Sequence, residues 1–140
     1  MRNVLRVAIV VTLLALAPIA IAAGGHQVRA INCGSEQFKP TRINLSCADA
    51  GIWLGKLKWS RWNGATATAT GSYNENTCTP TCSAGQNVSK PVKVTLSEPK
   101  ACPGQTNRAF ARATFSFPSG APPSAYHRFT FSCPVLPGQY

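Results

Sequence analysis

The sequence predicts an all-β fold: a small disulfide-stabilised antiparallel β-sandwich, with an immunoglobulin-like arrangement as one form of it, or a barrel. Three observations lead to this class. Several short stretches alternate apolar and polar residues with a period of two, which is typical of half-buried strands. No long apolar stripe with helical periodicity lies between them. Six cysteines in a chain of 140 residues indicate a domain held together by disulfides.

The N-terminal segment has the composition of a secretory signal peptide. Arg2 and Arg6 form a short basic start, and the apolar run VAIVVTLLALAPIAIA is followed by small residues. We therefore predict a signal peptide over residues 1–22 and a single secreted β domain over residues 23–140. The run is slightly short for a bilayer span, so an uncleaved anchor is the less favoured alternative. The expected location is extracellular, with association to the cell wall as a further option.

Six segments of the predicted domain read as strands, separated by stretches rich in proline, glycine, serine and threonine. The clearest alternation is that of Val92, Val94 and Leu96 with the polar residues between them. It directs one apolar face toward a core and basic or hydroxyl side chains toward solvent. Residues 74–90 and 98–108 are expected to be loops. The six predicted strands are 42–47, 52–62, 65–73, 91–97, 109–117 and 126–133.

The stretch GIWLGKLKWSRWNG holds all three tryptophans of the chain, together with three basic residues and no acid. Strict alternation assigns Trp53 and Trp59 to the core face. It places Trp62 on the opposite face, beside Lys56 and Lys58. An exposed ring beside cations would suit a ligand that combines a sugar or base face with negative charge. Packing of Trp62 over the end of a hairpin is the alternative.

The dipeptide Asn63-Gly64 predicts how this strand is connected to the next. Asn-Gly favours a two-residue hairpin turn because both central positions need positive φ. Segments 53–62 and 65–73 are therefore expected to pair. The second strand, ATATATGSY, places its threonines on one face. An ordinary solvent-facing surface is favoured over a water-ordering array, because threonine favours strands in general.

The cysteines are expected to be oxidised, since an even number of them follows a signal peptide. Six cysteines allow fifteen pairings, and a local set is preferred. Cys78 and Cys82 would close the shortest ring, with Pro80 helping the chain to turn. Zinc is disfavoured because no second close pair accompanies these two. The preferred pairs are Cys33–Cys47, Cys78–Cys82 and Cys102–Cys133.

The cysteine–tryptophan–cysteine pattern of immunoglobulin domains is only partly present. Cys47 and Trp59 have a suitable interval, but Cys133 follows at a long separation. Phe131 stands where a tyrosine corner would require tyrosine. An immunoglobulin-like sandwich is compatible with these residues, whereas membership of that family is not supported.

The chain is strongly basic, with a net charge of +10. Without the predicted leader, twelve basic side chains stand against four acidic ones, a charge near +8. Such a protein attracts phosphorylated cell-wall polymers, acidic lipid surfaces, extracellular DNA or acidic proteins. Solubility alone is the competing explanation. We expect an anionic cell-wall polymer or membrane surface, or an extracellular protein, as partner, without sequence-specific binding of nucleic acid.

Neither enzymatic activity nor a cofactor or metal is expected. Four acidic residues argue against catalysis by paired carboxylates. A Ser-His-Asp arrangement would have to use His127 with Asp49, the only aspartate, and no G-x-S-x-G motif is present. The motifs of phosphate loops, zinc proteases and calcium loops are also absent from the sequence.

The ligand-binding hypothesis centres on four residues of the tryptophan strand: Lys56, Lys58, Arg61 and Trp62. Four more basic residues on outward faces would extend the surface: Arg42, Lys93, Arg112 and Arg128. The alternative function is a protein-binding module, such as a secreted protease inhibitor that presents the loop 76–85. A short disulfide ring with a proline lowers the ordering cost of binding.

Three segments carry a resemblance. LKWSRW (57–62), NTCTPTCSAG (76–85) and PVKVTLSEPKAC (91–102) follow one another in this chain. The series resembles small secreted six-cysteine proteins of actinobacteria, in which W-x-x-W, N-x-C-x-P-x-C-x-x-G and P-V-x-V-x-L-S motifs occur in this order. The resemblance covers residues 31–117, and the cysteine loop is its most specific part. It implies export and an all-β domain and adds no mechanism.

Overall fold

The computed structural model describes residues 27–134, so the predicted signal peptide 1–22 lies outside the described residues. Within that range the secondary structure consists of strands, without a helix. The strands are β1 (Ala30–Asn32), β2 (Ser35–Gln37), β3 (Ile43–Asn44), β4 (Ile52–Trp62), β5 (Ala67–Asn76), β6 (Asn87–Ala101), β7 (Arg108–Ser116) and β8 (Arg128–Thr130). The predicted all-β class is confirmed.

Strands β3 to β8 form one antiparallel sheet in which every strand pairs with its neighbours in the sequence. This up-and-down order differs from the Greek-key connections of immunoglobulin domains, and the sheet curls into a half-barrel. Strands β1 and β2 form a separate hairpin. Arg29 links the two sheets, because its N–H donates to the Arg108 carbonyl at 2.8 Å and its carbonyl accepts from the Phe110 N–H at 2.9 Å.

The hydrophobic core fills the concave side of this sheet. Leu54, Tyr73, Val94, Leu96 and Phe110 are completely buried there. Burial of each such side chain contributes roughly 1.5–3 kcal/mol. The predicted alternation is confirmed around the middle of β6 and the end of β7, where Val92, Val94, Leu96 and Phe115 are buried and the residues between them are not. Residues 109–111 of β7 do not alternate, since all three are buried.

The face assignment of the tryptophan strand was wrong for two of its three tryptophans. Two β-bulges, between Gly55 and Lys58 and between Trp59 and Arg61, each insert an extra residue into β4. The spacing between successive inward residues is therefore two, three, two and three instead of a constant two. The residues on the core side of β4 are Ile52, Leu54, Leu57, Trp59 and Trp62. Trp53 lies on the outer side, opposite Asn74 of β5.

The hairpin between β4 and β5 is confirmed, but its turn is not the predicted two-residue one. Trp62 pairs with Ala67, which leaves a loop of residues 63–66. The Asn63 side chain organises this loop by accepting hydrogen bonds from the N–H groups of Ala65 and Thr66, at 2.9 and 2.8 Å. Asn63 and Gly64 are absent from the positive-φ residues found within 27–134. Side-chain capping replaces the left-handed backbone that the dipeptide suggested.

The described residues form three disulfides, and their pairing is the predicted local set: Cys33–Cys47, Cys78–Cys82 and Cys102–Cys133. The first ties the β1–β2 turn to the segment after β3. The third ties the β6–β7 loop to the segment after β8. Disulfides of this kind are typical of extracellular proteins.

Candidate functional site

The outer face of the six-stranded sheet carries two rows of polar side chains that run across the strands. Residues that pair directly on adjacent strands have side chains about 5 Å apart. The lysine row consists of Lys58, Thr70, Lys93 and Ser116. The arginine row consists of Arg61, Thr68, Thr95, Thr114 and Arg128. Each row thus combines hydroxyl groups with basic side chains on the convex face of the curled sheet.

The sequence creates these rows through period-two alternation in neighbouring strands. In β5, Ala67 and Ala69 point inward and are completely buried, so Thr68 and Thr70 point outward. The register places these threonines beside the outward residues of β6. Lys93 is exposed while Val92 and Val94 on either side of it are buried. In β4 the two cations both face outward because the second bulge lies between Lys58 and Arg61.

Acidic groups are scarce on this face. Among residues 27–134, Glu98 is the acid that lies there, and it is paired with Arg112 at 3.1 Å. Glu36 belongs to β2, Asp49 to the β3–β4 loop, and Glu75 lies buried on the core side of β5. The lysine and arginine rows are therefore free of neighbouring carboxylates, which concentrates positive potential on one side of the sheet.

Two depressions on the outer face are lined by residues of the range 27–134. One, of about 300 Å³, lies where the rows cross β6 and β7 and is lined by Lys93, Thr95, Thr114 and Ser116. The second, of about 440 Å³, lies at the first bulge of β4. We call this second depression the Trp53 notch. The residues that line it include Arg42, Trp53, Gly55, Lys56, Ser72 and Asn74. The Arg42 guanidinium lies over the Trp53 ring at 4.8 Å.

Three of the four residues in the ligand-binding hypothesis face solvent, since Lys56, Lys58 and Arg61 are exposed. Trp62 does not join them. Its indole N–H donates to the Val28 carbonyl at 2.9 Å, and its ring packs edge-on against Trp59 and Phe110. Trp62 therefore packs against the core at the end of the β4–β5 hairpin, which is the alternative given in the sequence analysis.

Trp53 provides the aromatic group on the outer face, and alternation in β4 had assigned it to the core. The missed signal lies in the glycines of β4 and β5, because a bulge often needs a residue without a side chain nearby. Of the other basic residues proposed, Arg42 joins the Trp53 notch, Lys93 and Arg128 join the rows, and Arg112 is neutralised by Glu98.

His127 and Asp49 each have a structural contact of their own. The His127 ring packs edge-on against Phe117 with centroids 5.7 Å apart. The Asp49 carboxylate accepts the Gly51 N–H at 3.0 Å. This backbone hydrogen bond, with a second from the Ser46 hydroxyl, lowers the pKa of Asp49. A capping role in the turn before β4 accounts for this carboxylate.

The loop between β5 and β6 is stabilised by hydrogen bonds from Asn76, the last residue of β5. Asn76 donates from Nδ2 to the Cys82 carbonyl at 3.0 Å and accepts the Cys78 N–H on Oδ1 at 2.9 Å. The Thr77 N–H donates to the Gln86 carbonyl, and the Gln86 N–H donates to the Thr77 hydroxyl. The loop residues 77–86 carry no charge, and most of them are exposed.

A further depression, of about 520 Å³, lies beside β8 and is bordered by two disulfides. Ile31, Phe129 and Phe131 give it an apolar wall, and Asn44 and Thr130 contribute polar groups. It contains no charged residue, so it does not extend the basic surface.

Comparison with protein-family models, with curated proteins and with solved structures finds no match to this chain. The resemblance to actinobacterial six-cysteine proteins stays a prediction. Over residues 27–134 no helix is long and apolar enough to cross a membrane. The same range holds no group of three or more histidine, cysteine or acidic side chains arranged to bind a metal ion.

Proposed function

We propose that the protein is a secreted, non-enzymatic binding protein that associates with anionic polymers of the cell envelope or extracellular space through the outer face of its sheet. The observation that carries this proposal is the pair of rows. They bring Lys58, Lys93, Arg61 and Arg128 onto one surface, where the single acid is already neutralised by Arg112.

The arrangement suits a polymer better than a small ion. A solvent-exposed ion pair contributes only about 0–1 kcal/mol, so a single lysine adds little to the free energy of binding. Lys58 and Lys93 lie two strands apart in the lysine row, roughly 10 Å. A chain with repeated negative charges can contact several cations at once, and each contact after the first is made at high effective concentration. The threonine hydroxyls between the cations can donate to or accept from the same chain.

The test measures binding of the oxidised protein to beads coated with long-chain polyphosphate, and its sedimentation with isolated cell envelopes, across a salt series. Binding should weaken as salt rises, because exposed charges are screened. The variant K58Q/K93Q should bind about three- to thirtyfold more weakly. The control K39Q/K100Q removes the same charge outside the rows and should bind nearly as well as the wild type. Equal losses in both variants, or binding indifferent to salt, would contradict the proposal.

The second candidate function is a protein-binding module that presents the loop 77–86. The observation that favours it is the bracing of this loop by Asn76, since a pre-ordered loop loses little entropy on binding. Because the loop is uncharged, such binding should depend little on salt. A panel of secreted proteases assayed for inhibition, with Pro80→Ala as the loop variant, tests it. Inhibition that is insensitive to Pro80→Ala would exclude the loop as the contact.

A further inference from the structure

Trp53 differs from the other two tryptophans in the state of its indole N–H. Trp59 donates to the Pro40 carbonyl at 2.8 Å, and Trp62 donates to the Val28 carbonyl at 2.9 Å. The Trp53 Nε1 has no hydrogen-bond partner among residues 27–134, and it is not among the buried unpaired atoms of that range. Its N–H is therefore a donor open to a ligand in the Trp53 notch.

Arg42 is fixed beside this ring before any ligand arrives. Its Nε donates to the Asn44 Oδ1 at 2.9 Å while its guanidinium stacks on Trp53 at 4.8 Å. The Asn44 N–H is in turn bound by the Asn32 side chain at 2.9 Å. These contacts use one N–H of the guanidinium and leave the terminal amino groups to form a fork for an anionic oxygen pair.

Lys56 brings a second cation to the notch through the backbone of the bulge. Its φ is +52°, a left-handed conformation that costs a residue with a β-carbon roughly 1–2 kcal/mol. The bulge makes Lys56 an additional outward residue between Leu54 and Leu57, both of which are buried. Strained backbone of this kind is enriched at functional sites.

Asn74 supplies an acceptor at the floor of the notch. Its Nδ2 donates to the Trp53 carbonyl, the Ser72 carbonyl and the Ser72 hydroxyl at 3.0–3.3 Å. Because all three partners are oxygens, the amide orientation is determined. Its Oδ1 receives no hydrogen bond from the described part of the chain and is not a buried unpaired atom there. The notch therefore presents three groups of donors and one fixed acceptor.

We propose that the Trp53 notch binds a single phosphate-ester unit of a hydroxylated polymer, such as a polyol or sugar joined by phosphodiester bonds. This inference rests on the proposed function and specifies its ligand. The phosphate oxygens accept from Arg42, Lys56 and the Trp53 N–H. A neighbouring hydroxyl of the ligand donates to the Asn74 Oδ1, and its carbon chain lies along the exposed part of the indole. The acceptor distinguishes this unit from bare phosphate or sulfate, which at neutral pH offer few donors or none.

The test follows the indole and side-chain amide signals of ¹⁵N-labelled protein by NMR. The probes are glycerol 3-phosphate, inorganic phosphate and glycerol, each at millimolar concentration. Glycerol 3-phosphate should shift the Trp53 indole and Asn74 amide signals in a saturable way. Inorganic phosphate should shift the indole signal with at least about threefold weaker affinity, and glycerol should shift neither. Equal affinities for the two phosphates would overturn the assignment of a hydroxyl to Asn74.

Two variants test the residues. Arg42→Lys keeps the charge and loses the fork, and should weaken binding of glycerol 3-phosphate at least about threefold. The double variant R42Q/K56Q should abolish the saturable shifts, whereas K58Q/K93Q, which lies outside the notch, should retain them. Shifts that survive R42Q/K56Q would overturn the inference.

The polyphosphate experiment distinguishes a failure of the notch inference from a failure of the proposed function. If polyphosphate binding is salt-dependent and lost in K58Q/K93Q while glycerol 3-phosphate leaves the Trp53 indole signal unmoved, the notch inference fails and the proposed function stands. If neither polyphosphate nor cell envelopes bind, the proposed function fails. A saturable glycerol 3-phosphate shift would then mark the notch as a site for a small phosphate ester instead of a polymer unit.

Discussion

Gly71 and the backbone of Gly55 are in such close contact that any side chain at position 71 would force the backbone to shift. A β-carbon on Gly71 would lie 2.6 Å from the Gly55 carbonyl oxygen and 3.0 Å from the Leu57 side chain. The contact joins the middle of β5 to the first bulge of β4. The bulge in turn places Lys56 and Trp53 on the outer face. The position of the candidate site thus depends on a glycine in the neighbouring strand.

Gly71→Ala should destabilise the protein by about 1–3 kcal/mol, the usual cost of overpacking a tight contact. The neighbour is backbone, which cannot rotate away as a side chain can. Urea unfolding followed by tryptophan fluorescence measures the change. Gly64→Ala is the matched control, because a β-carbon there meets nothing within 4 Å. If the two variants were equally stable, the Gly71–Gly55 contact would not constrain the fold.

The sequence predicts most clearly the elements whose pattern is local. In residues 92–97 of β6 and 112–116 of β7, every second residue is apolar and the pairing is regular around Val94 and Phe115, so alternation assigns the faces correctly there. Close cysteine spacing likewise favoured the observed pairs. The faces of β4 were not predictable in this way, because its bulges arise from pairing with β5 and Gly71. The contact of Arg42 with Trp53 likewise depends on long-range pairing, since Arg42 directly precedes β3 and Asn44 of β3 pairs with Trp53.

The three tryptophans should respond differently to removal of the indole N–H. Trp62→Phe leaves the Val28 carbonyl without its donor in a largely buried position and should cost about 1–3 kcal/mol of stability. Trp53→Phe removes an N–H without a partner in the described range and should change stability by less than about 0.5 kcal/mol. Chemical denaturation of both variants measures the difference. Equal losses would mean that the Trp53 indole has a structural partner.

Binding should separate the same two variants in the opposite order. Trp53→Phe keeps a ring under Arg42 but loses the donor to the phosphate, so its affinity for glycerol 3-phosphate should fall about three- to tenfold. Trp62→Phe should retain wild-type affinity wherever the protein is folded. Titration followed by chemical shifts of the Asn74 side chain reports on both. A larger loss of affinity in Trp62→Phe would mean that Trp62, and not Trp53, contacts the ligand.

The disulfides should differ in their contribution to stability according to the length of chain that each closes. Cys102 and Cys133 are 31 residues apart, whereas Cys78 and Cys82 are 4 apart. In the chain-entropy description, replacing the first pair by alanine costs about 4 kcal/mol and replacing the second about 2 kcal/mol. Thermal unfolding of the two double variants compares them. A larger loss for the short ring would show that its role in holding the native loop outweighs loop entropy.

Gly85→Ala should disrupt the β5–β6 loop while leaving the sheet intact. A β-carbon on Gly85 would lie 2.2 Å from the Asn76 Oδ1 and 2.7 Å from the Cys78 backbone nitrogen, so the bracing by Asn76 cannot persist. Limited proteolysis should then cut within residues 77–86, with Gly64→Ala as a control at a distant turn where a β-carbon meets nothing within 4 Å. Thr70 and Lys93 of the lysine row lie seven residues along β5 and β6 from the ends of this loop, roughly 20 Å away. Polyphosphate binding should therefore survive in Gly85→Ala. Loss of polyphosphate binding in a folded Gly85→Ala protein would instead assign the loop to the binding surface and contradict the outer-face proposal.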